Sequence, residues 1–162
     1  MTGAKLDSWQ CAQIRLARAG DRAAVVDCVT AAFGVFMPRI GKPPAPMLAD
    51  YEALIARRQV HVVEDEGIVA AAIVLAPQAD HLFVDVVAVR PRRQRQGLGR
   101  RLMAFAAGEA RRRGLGEIRL YTHEVMSGAL GLYRALGYQE TARRLEDGYA
   151  RVYLRKVLDA ER

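Results

Sequence analysis

The chain has 162 residues and a formal net charge of +7 at neutral pH, with 51% hydrophobic and 27% charged residues. This is the composition of one packed domain, and it excludes a disordered or fibrous chain. No uninterrupted apolar run reaches the ~18 residues of a membrane span, and the two cysteines, Cys11 and Cys28, stand in neither a C-x-x-C pair nor metal spacing with a histidine, so reduced thiols, a cytoplasmic location and no metal are expected.

Residues 1–11 read as a flexible N-terminal tail ahead of a single domain over 12–162. In "AQIRLARAGD", Ile14, Leu16 and Ala19 alternate with Arg15 and Arg18, which predicts a first strand. Asp21 is placed to cap the next element. There, Ala24, Val25, Cys28, Ala31, Ala32 and Val35 fall at helical spacing, giving a helix to about Phe33. "MPRIGKPPAPM" reads as a breaker-rich loop, and Asp50 opens a short helix carrying Tyr51, Leu54 and Ile55. "QVHVVEDEGIVAAAIVLA" reads as two strands around the turn Asp65-Glu66-Gly67. "HLFVDVVAV" is nearly all apolar, as a central strand covered on both faces would be, and Pro91 ends it.

From Leu98 to Arg113, Leu98, Leu102, Phe105 and Ala106 form one stripe and Arg101, Glu109, Arg111 and Arg112 the other, an amphipathic helix that Gly114 closes. "EIRLYTH" is a further strand. Ser127 to Leu136 is a short helix with Ala129, Leu132, Tyr133 and Leu136 on one stripe, ended by Gly137. "YARVYLRKVL" alternates into a closing strand. With no internal repeat or linker, the order of elements predicts an α/β (α+β) domain with a mixed sheet flanked by helices.

The most unusual stretch is "RPRRQRQGLGRR", residues 90–101, half arginine around two glycines. It joins a buried strand to a helix, where free backbone N–H groups meet the positive end of the helix dipole. Gly97 and Gly99 remove the Cβ atoms that would hold an anion away, a general recipe for a phosphate cradle. Neither a third glycine nor a Gly-Lys-Ser/Thr follows, so it is not a standard nucleotide motif.

Gln94-x-x-Gly97-x-Gly99, after "VDVVAV" and before an amphipathic helix, resembles the acetyl-CoA-binding motif of the GNAT N-acyltransferases. Downstream, "GALGLYRALGY" is similar to that family's short helix, with Leu132, Tyr133, Gly137 and Tyr138 in its pattern. The resemblance extends over about residues 13–158 and implies a mixed, mostly antiparallel sheet and acetyl transfer from acetyl-CoA to a primary amine. It implies that the pyrophosphate lies on the amides of Gln94, Arg95, Gln96, Gly97, Leu98, Gly99 and Arg100, with the arginines adding charge-assisted contacts. The pantetheine arm would pair with the strand edge at Val87, Ala88 and Val89, and an N–H near Val87 would stabilise the oxyanion.

Tyr133 stands at the family's general-acid position, and Asp85 stands where members often carry Glu, as base or as a ligand for the substrate ammonium. Glu124 and His123 are alternative bases at the end of the next strand. His61 and His81 are read as strand residues without catalytic duty. Ala129 lies on the cofactor-facing helix, and Met126 stands where many members have an asparagine at the pantetheine, a departure at the acyl end of the site.

Two other readings compete. A basic patch of Arg90, Arg92, Arg93, Arg95, Arg100 and Arg101, extended by Arg111 to Arg113, would suit nucleic acid, but the absence of a recognition-helix signature and of an aromatic ladder argues against it. A non-catalytic acetyl-CoA sensor is the other, against which Tyr133 stands. Neither motif contains a cysteine, so direct attack in a ternary complex is expected. The acceptor, a small-molecule or peptide amine, stays open among a polyamine, an amino acid, an aminoglycoside-like compound and a protein amine. Its contacts are expected from "FMPRIGKPPAPM" with Arg39, from Tyr51, from "THEVM" and from the hairpin near Gly148. Homodimers through the final strands are common in the family.

Overall fold

The computed structural model describes residues 12–159, so the tail expected over 1–11, with Cys11, lies outside it. In chain order the elements are β1 (Ile14–Leu16), α1 (Arg22–Phe33), α2 (Met37–Ile40), α3 (Tyr51–Ala56), β2 (Val60–Asp65), β3 (Ile68–Pro77), β4 (Leu82–Val89), α4 (Leu98–Arg112), β5 (Glu117–His123), α5 (Ser127–Ala135), β6 (Gln139–Glu146) and β7 (Tyr149–Val157). The strands form one sheet in the order β1-β2-β3-β4-β5-β7-β6. Every neighbouring pair is antiparallel except β4 and β5.

Local chemistry explains most boundaries. The β2–β3 turn places Glu66 (φ 52°) and Gly67 (φ 78°) in the left-handed region, as a two-residue hairpin requires. The Asp50 carboxylate accepts the Ala53 N–H at 3.1 Å and starts α3. Asp21 departs from expectation. Its carboxylate turns back to accept the Arg18 N–H at 2.7 Å and to pair with Arg15, and makes no side-chain cap to α1.

The sheet buries a core on each face. On one side α4 packs Leu98, Leu102 and Ala106 against Leu82, Val84, Ile118 and Leu120. On the other, α1 packs Val25, Val29 and Phe33 against Val60, Val62, Val74 and Val86. Leu102 is fully buried, and truncating such a leucine to alanine typically costs about 2–5 kcal/mol. The helical turns from Ala19 to Ile40 together are long and apolar enough to cross a membrane by length and composition, a run hidden from a count of consecutive apolar residues. In this fold α1 lies on the sheet.

Two elements differ from the sequence reading. The breaker-rich stretch contains the one-turn α2, with Pro38 in the first turn where no N–H is required of it, and a 3₁₀ turn over Ala45–Leu48. β6 carries no apolar alternation because it is the sheet's outer strand and is solvated along its length; its Leu145 is 78% exposed.

β4 carries two irregularities. In the β3 register Val74 faces Val86 and the next residue, Leu75, faces Val84, so Asp85 is the extra residue of a β-bulge. The bulge reverses the side-chain parity. Leu82 and Val84 enter the α4-side core, whereas Val86 and Ala88 enter the α1-side core. Pairing of β4 with β5 ends at Val84 with Leu120, and beyond that point the two strands separate.

Candidate active site

The separation of β4 and β5 leaves one edge of β4 open, and its amides can be assigned. The Arg90 N–H donates to Ala70 O on β3 at 3.0 Å. Alternation along an antiparallel ladder then directs the amide groups of Ala88 toward β3 and those of Val87 and Val89 toward the open edge. The Gln94 side-chain amide donates to Val89 O at 2.9 Å from that edge. Val87 is left with its N–H and C=O facing the gap.

The open edge continues into the glycine loop. Gly97 is left-handed at φ 84°. Arg95 is also left-handed, at φ 63°, which is uncommon for a side-chain-bearing residue and tends to occur at functional clefts. The first intrahelical bond of α4 runs from Arg101 N–H to Gly97 O, so the amides of Leu98, Gly99 and Arg100 have no helical acceptor. Gly99 has a packing reason. A Cβ there would stand 3.1 Å from Leu132 Cδ2, so glycine lets α4 and α5 approach closely.

These parts line a groove of about 500 Å³. Val87, Val89, Gln94, Arg95, Gly97 and Arg100 form one wall, and Gly128, Ala129, Leu132 and Tyr133 face them from α5. Not every expected cofactor residue reaches it. Ala88 is buried in the α1-side core with its amide turned to β3, which corrects its expected role. The Leu98 side chain is buried under α4, so only its backbone is available, and the Gln96 side chain turns to Arg92 O. The unpaired amides at the start of α4, with Arg95, Gly97 and Arg100 lining the groove, fit a pyrophosphate.

The arginine run divides in two. Arg90 donates to Val69 O at 2.6 Å and pairs with Asp27 at 2.9 Å; Arg93 pairs with the buried Asp65 at 2.7 Å; Arg101 donates to Ala12 O. These three hold the loop to its own fold. Arg95 and Arg100 face the groove. The continuous patch that nucleic acid would need is therefore interrupted by residues spent on internal contacts.

A second, smaller cavity of about 110 Å³ adjoins the groove, and Phe33, Val87, Met126, Ala129 and Tyr133 line both. Asp85, Tyr121, His123, Tyr149 and Arg151 line the smaller cavity alone. Tyr133 sits at the junction, and burial raises its phenol well above the ordinary value, keeping it protonated. Burial likewise pushes the Asp85 carboxyl up, with Arg151 opposing the shift. Met126 accepts a hydrogen bond from Thr122 Oγ1 at its sulfur, 3.3 Å away, so the departure from asparagine is packed into the wall.

The alternative bases are less well placed. Both ring nitrogens of His123 face backbone N–H groups, Nδ1 that of Val125 and Nε2 that of Ala150, each at 3.2 Å. A neutral imidazole has one free lone pair and an imidazolium none, so protonation would break the contact that exists, and burial lowers the pKa in the same sense. Glu124 faces Arg143 on the outer surface, at 3.9 Å, and lies outside the cavity. Of the other histidines, His61 packs against the Phe105 ring at a 60° tilt and His81 pairs with Asp80. Cys28 is fully buried in the α1-side core, its thiol pushed up to about 11.

Arg151 was not singled out by the sequence, where it reads as the solvent-facing member of an alternating strand. Its side chain is only 14% exposed, and its guanidinium lies 4.5 Å from the Tyr121 ring centre. The available signal was its neighbours: Tyr149 and Tyr153 at two residues either side mark an aromatic face. Among the described residues no cluster of three metal-ligating side chains occurs.

Comparison with known proteins agrees with this geometry. The sequence model of the acetyltransferase (GNAT) family matches residues 30–138. A probable N-acetyltransferase 14 from Xenopus tropicalis is 29% identical over 101 residues, 61% of this chain and 49% of that protein; the chain thus spans about half the length of this relative. Among solved structures, the PaiA N-acetyltransferase of Thermoplasma acidophilum in complex with coenzyme A superposes with a TM-score of 0.75 at 16% identity, covering 90% of this chain and 98% of that one. The putative acetyltransferase YncA of Salmonella typhimurium, with its cofactor acetyl-CoA, gives 0.69 at 21% identity, covering 93% and 96%. These likenesses are in fold.

Proposed function

The chain belongs to the GNAT acetyltransferase family, and from that premise we propose that it is an acetyl-CoA-dependent N-acetyltransferase acting on a primary amine by direct attack in a ternary complex. The observation that carries the reading is the meeting of the open β4 edge, with its outward Val87 amide, and the N-terminus of α4 in one groove. Arg95 and Arg100 would add charge-assisted contacts to a pyrophosphate on the α4 amides.

Acetyl-CoA supplies an acetyl group held as a thioester. The Val87 N–H is the donor for the carbonyl oxygen that gains charge under attack; one such donor is typically worth about 3 kcal/mol of barrier. Asp85 takes the proton of the amine, and the upward shift of its carboxyl brings its basicity closer to that task. Tyr133 hands its phenolic proton to the departing sulfur. A sulfur leaving in the same dry junction is desolvated too, which raises its proton affinity toward that of the phenol. Cys28 lines neither cavity, which favours direct transfer over an acetyl-cysteine.

Thermal unfolding with and without acetyl-CoA, beside a short DNA duplex, tests the reading. A ligand at about 100 times its Kd stabilises by about 2.7 kcal/mol, several degrees for this size. A shift with acetyl-CoA alone, followed by acetylation of an amine panel with intersecting initial-velocity lines, is expected. Parallel lines refute direct transfer, and no shift with acetyl-CoA refutes the reading altogether.

A further inference from the structure

The smaller cavity behind the groove holds two charges of opposite sign that do not meet. Asp85 and Arg151 both line it, yet among the described residues no ion pair or hydrogen bond joins them; the Arg151 guanidinium is paired instead with Glu146 at 3.1 Å. Two such groups sharing a small desolvated space would pair directly if the space were only a packing defect. Asp85 lies two residues from Val87, at the groove end, and Arg151 lies on β7 opposite His123, at the far end. We propose that the acceptor is a free amino acid, its ammonium held at Asp85 beside the Val87 amide and its carboxylate at Arg151. This rests on the acetyltransferase reading above.

The remaining walls agree. The segment between α1 and α3 roofs the cavity with Pro44 and Pro46 and is fastened to the β6–β7 hairpin. Lys42 Nζ reaches Asp147 O and stands 3.9 Å over the Tyr149 ring, and the Tyr149 hydroxyl donates to Pro43 O at 2.6 Å. Arg39 donates to Val125 O at 3.4 Å. These contacts crowd the approach that a chain terminus of a folded protein would need, whereas a single amino acid fits. Ile40, Tyr121 and Tyr149 offer apolar surface to its side chain.

The test compares each common L-amino acid with its own α-carboxamide. The amide has the less basic amine, more of it deprotonated at neutral pH, so intrinsic reactivity favours the amide, and a preference for the acid reports recognition of the carboxylate. At least one free acid is expected to show kcat/KM about tenfold or more above its amide. The same acid should raise the Tm of the enzyme–CoA complex more than the amide does, a readout independent of turnover. Arg151→Gln should abolish both preferences while keeping the acetyl-CoA-induced Tm shift, and Arg151→Lys should restore part of them. Amides or simple amines used as well as the acids overturn this inference and leave the acetyltransferase standing. No amine of any class acetylated, with acetyl-CoA still stabilising the fold, overturns both.

Discussion

Replacing Asp85 with asparagine should make the protein more stable and nearly inactive. Asp85 is the extra residue of the β4 bulge, half-buried at the cavity wall, and its carboxyl is pushed above the ordinary value by burial, with Arg151 only partly offsetting it. The folded chain therefore binds this proton more tightly than the unfolded chain. Between the two pKa values the folded state holds more protons, so stability falls as pH rises, and the penalty is complete above the folded pKa. Asparagine has the same shape and no charge to desolvate, so Asp85→Asn should raise the Tm at neutral pH. The gain should shrink as the pH is lowered into the range where the wild-type carboxyl protonates. Loss of the base should lower kcat/KM by roughly 10²-fold or more. Calorimetry of both proteins at neutral and mildly acid pH, beside steady-state kinetics, reads both quantities. A variant less stable than wild type at neutral pH, or a gain independent of pH, would refute the reasoning.

Tyr133→Phe should reduce kcat by roughly 10²-fold while the Tm shift with acetyl-CoA persists; loss of the shift would make the phenol a binding group rather than an acid. Gly97→Ala must adopt φ 84°, so it should cost about 1–2 kcal/mol of stability and weaken acetyl-CoA binding, both seen in thermal titrations. Arg93→Ala, which removes one ion-pair partner of the buried Asp65, should destabilise the fold measurably, whereas Arg92→Ala should stay within about 0.5 kcal/mol; equal effects in a denaturant melt would contradict the division of the arginine run. Arg95→Gln with Arg100→Gln should leave unfolding without ligand unchanged and flatten the salt dependence of acetyl-CoA binding.

The chain order of the elements was readable because most strands and helices here bury one face, and burial writes a period into the sequence. α4 is the clearest case, from Leu98 to Ala110. β6 was unreadable as a strand for the opposite reason: both its faces are solvated, and charged residues satisfy them equally. The glycine loop was legible because backbone geometry at Gly97 demands a particular residue. The acceptor side was not. Arg151 alternates with Val152 and Leu154 as an ordinary surface residue would, and only the tertiary placement of Tyr121, Tyr149 and the proline-rich roof buries it. Nor does one sequence reveal that Asp85 occupies a bulge, since a bulge is a mismatch between two strands. The arginine run misled by uniformity: six similar residues hide three that are held by internal partners and two that face the groove.

The sheet is joined unevenly. β3 meets β4 over seven register pairs and β5 meets β7 over seven, but β4 meets β5 over only three, Leu82–Val84 against Ile118–Leu120. Mechanically the domain is two stiff plates sharing a short seam. α4 spans the seam on one face. On the other, the span is Lys42 at Asp147 O and over the Tyr149 ring, with the Tyr149 hydroxyl at Pro43 O. A ligand lying in the wedge would act as a cross-brace, since it would bond to the open β4 edge and touch α5 at once. Slowed amide exchange should then reach both plates, and not only the residues in contact with the ligand.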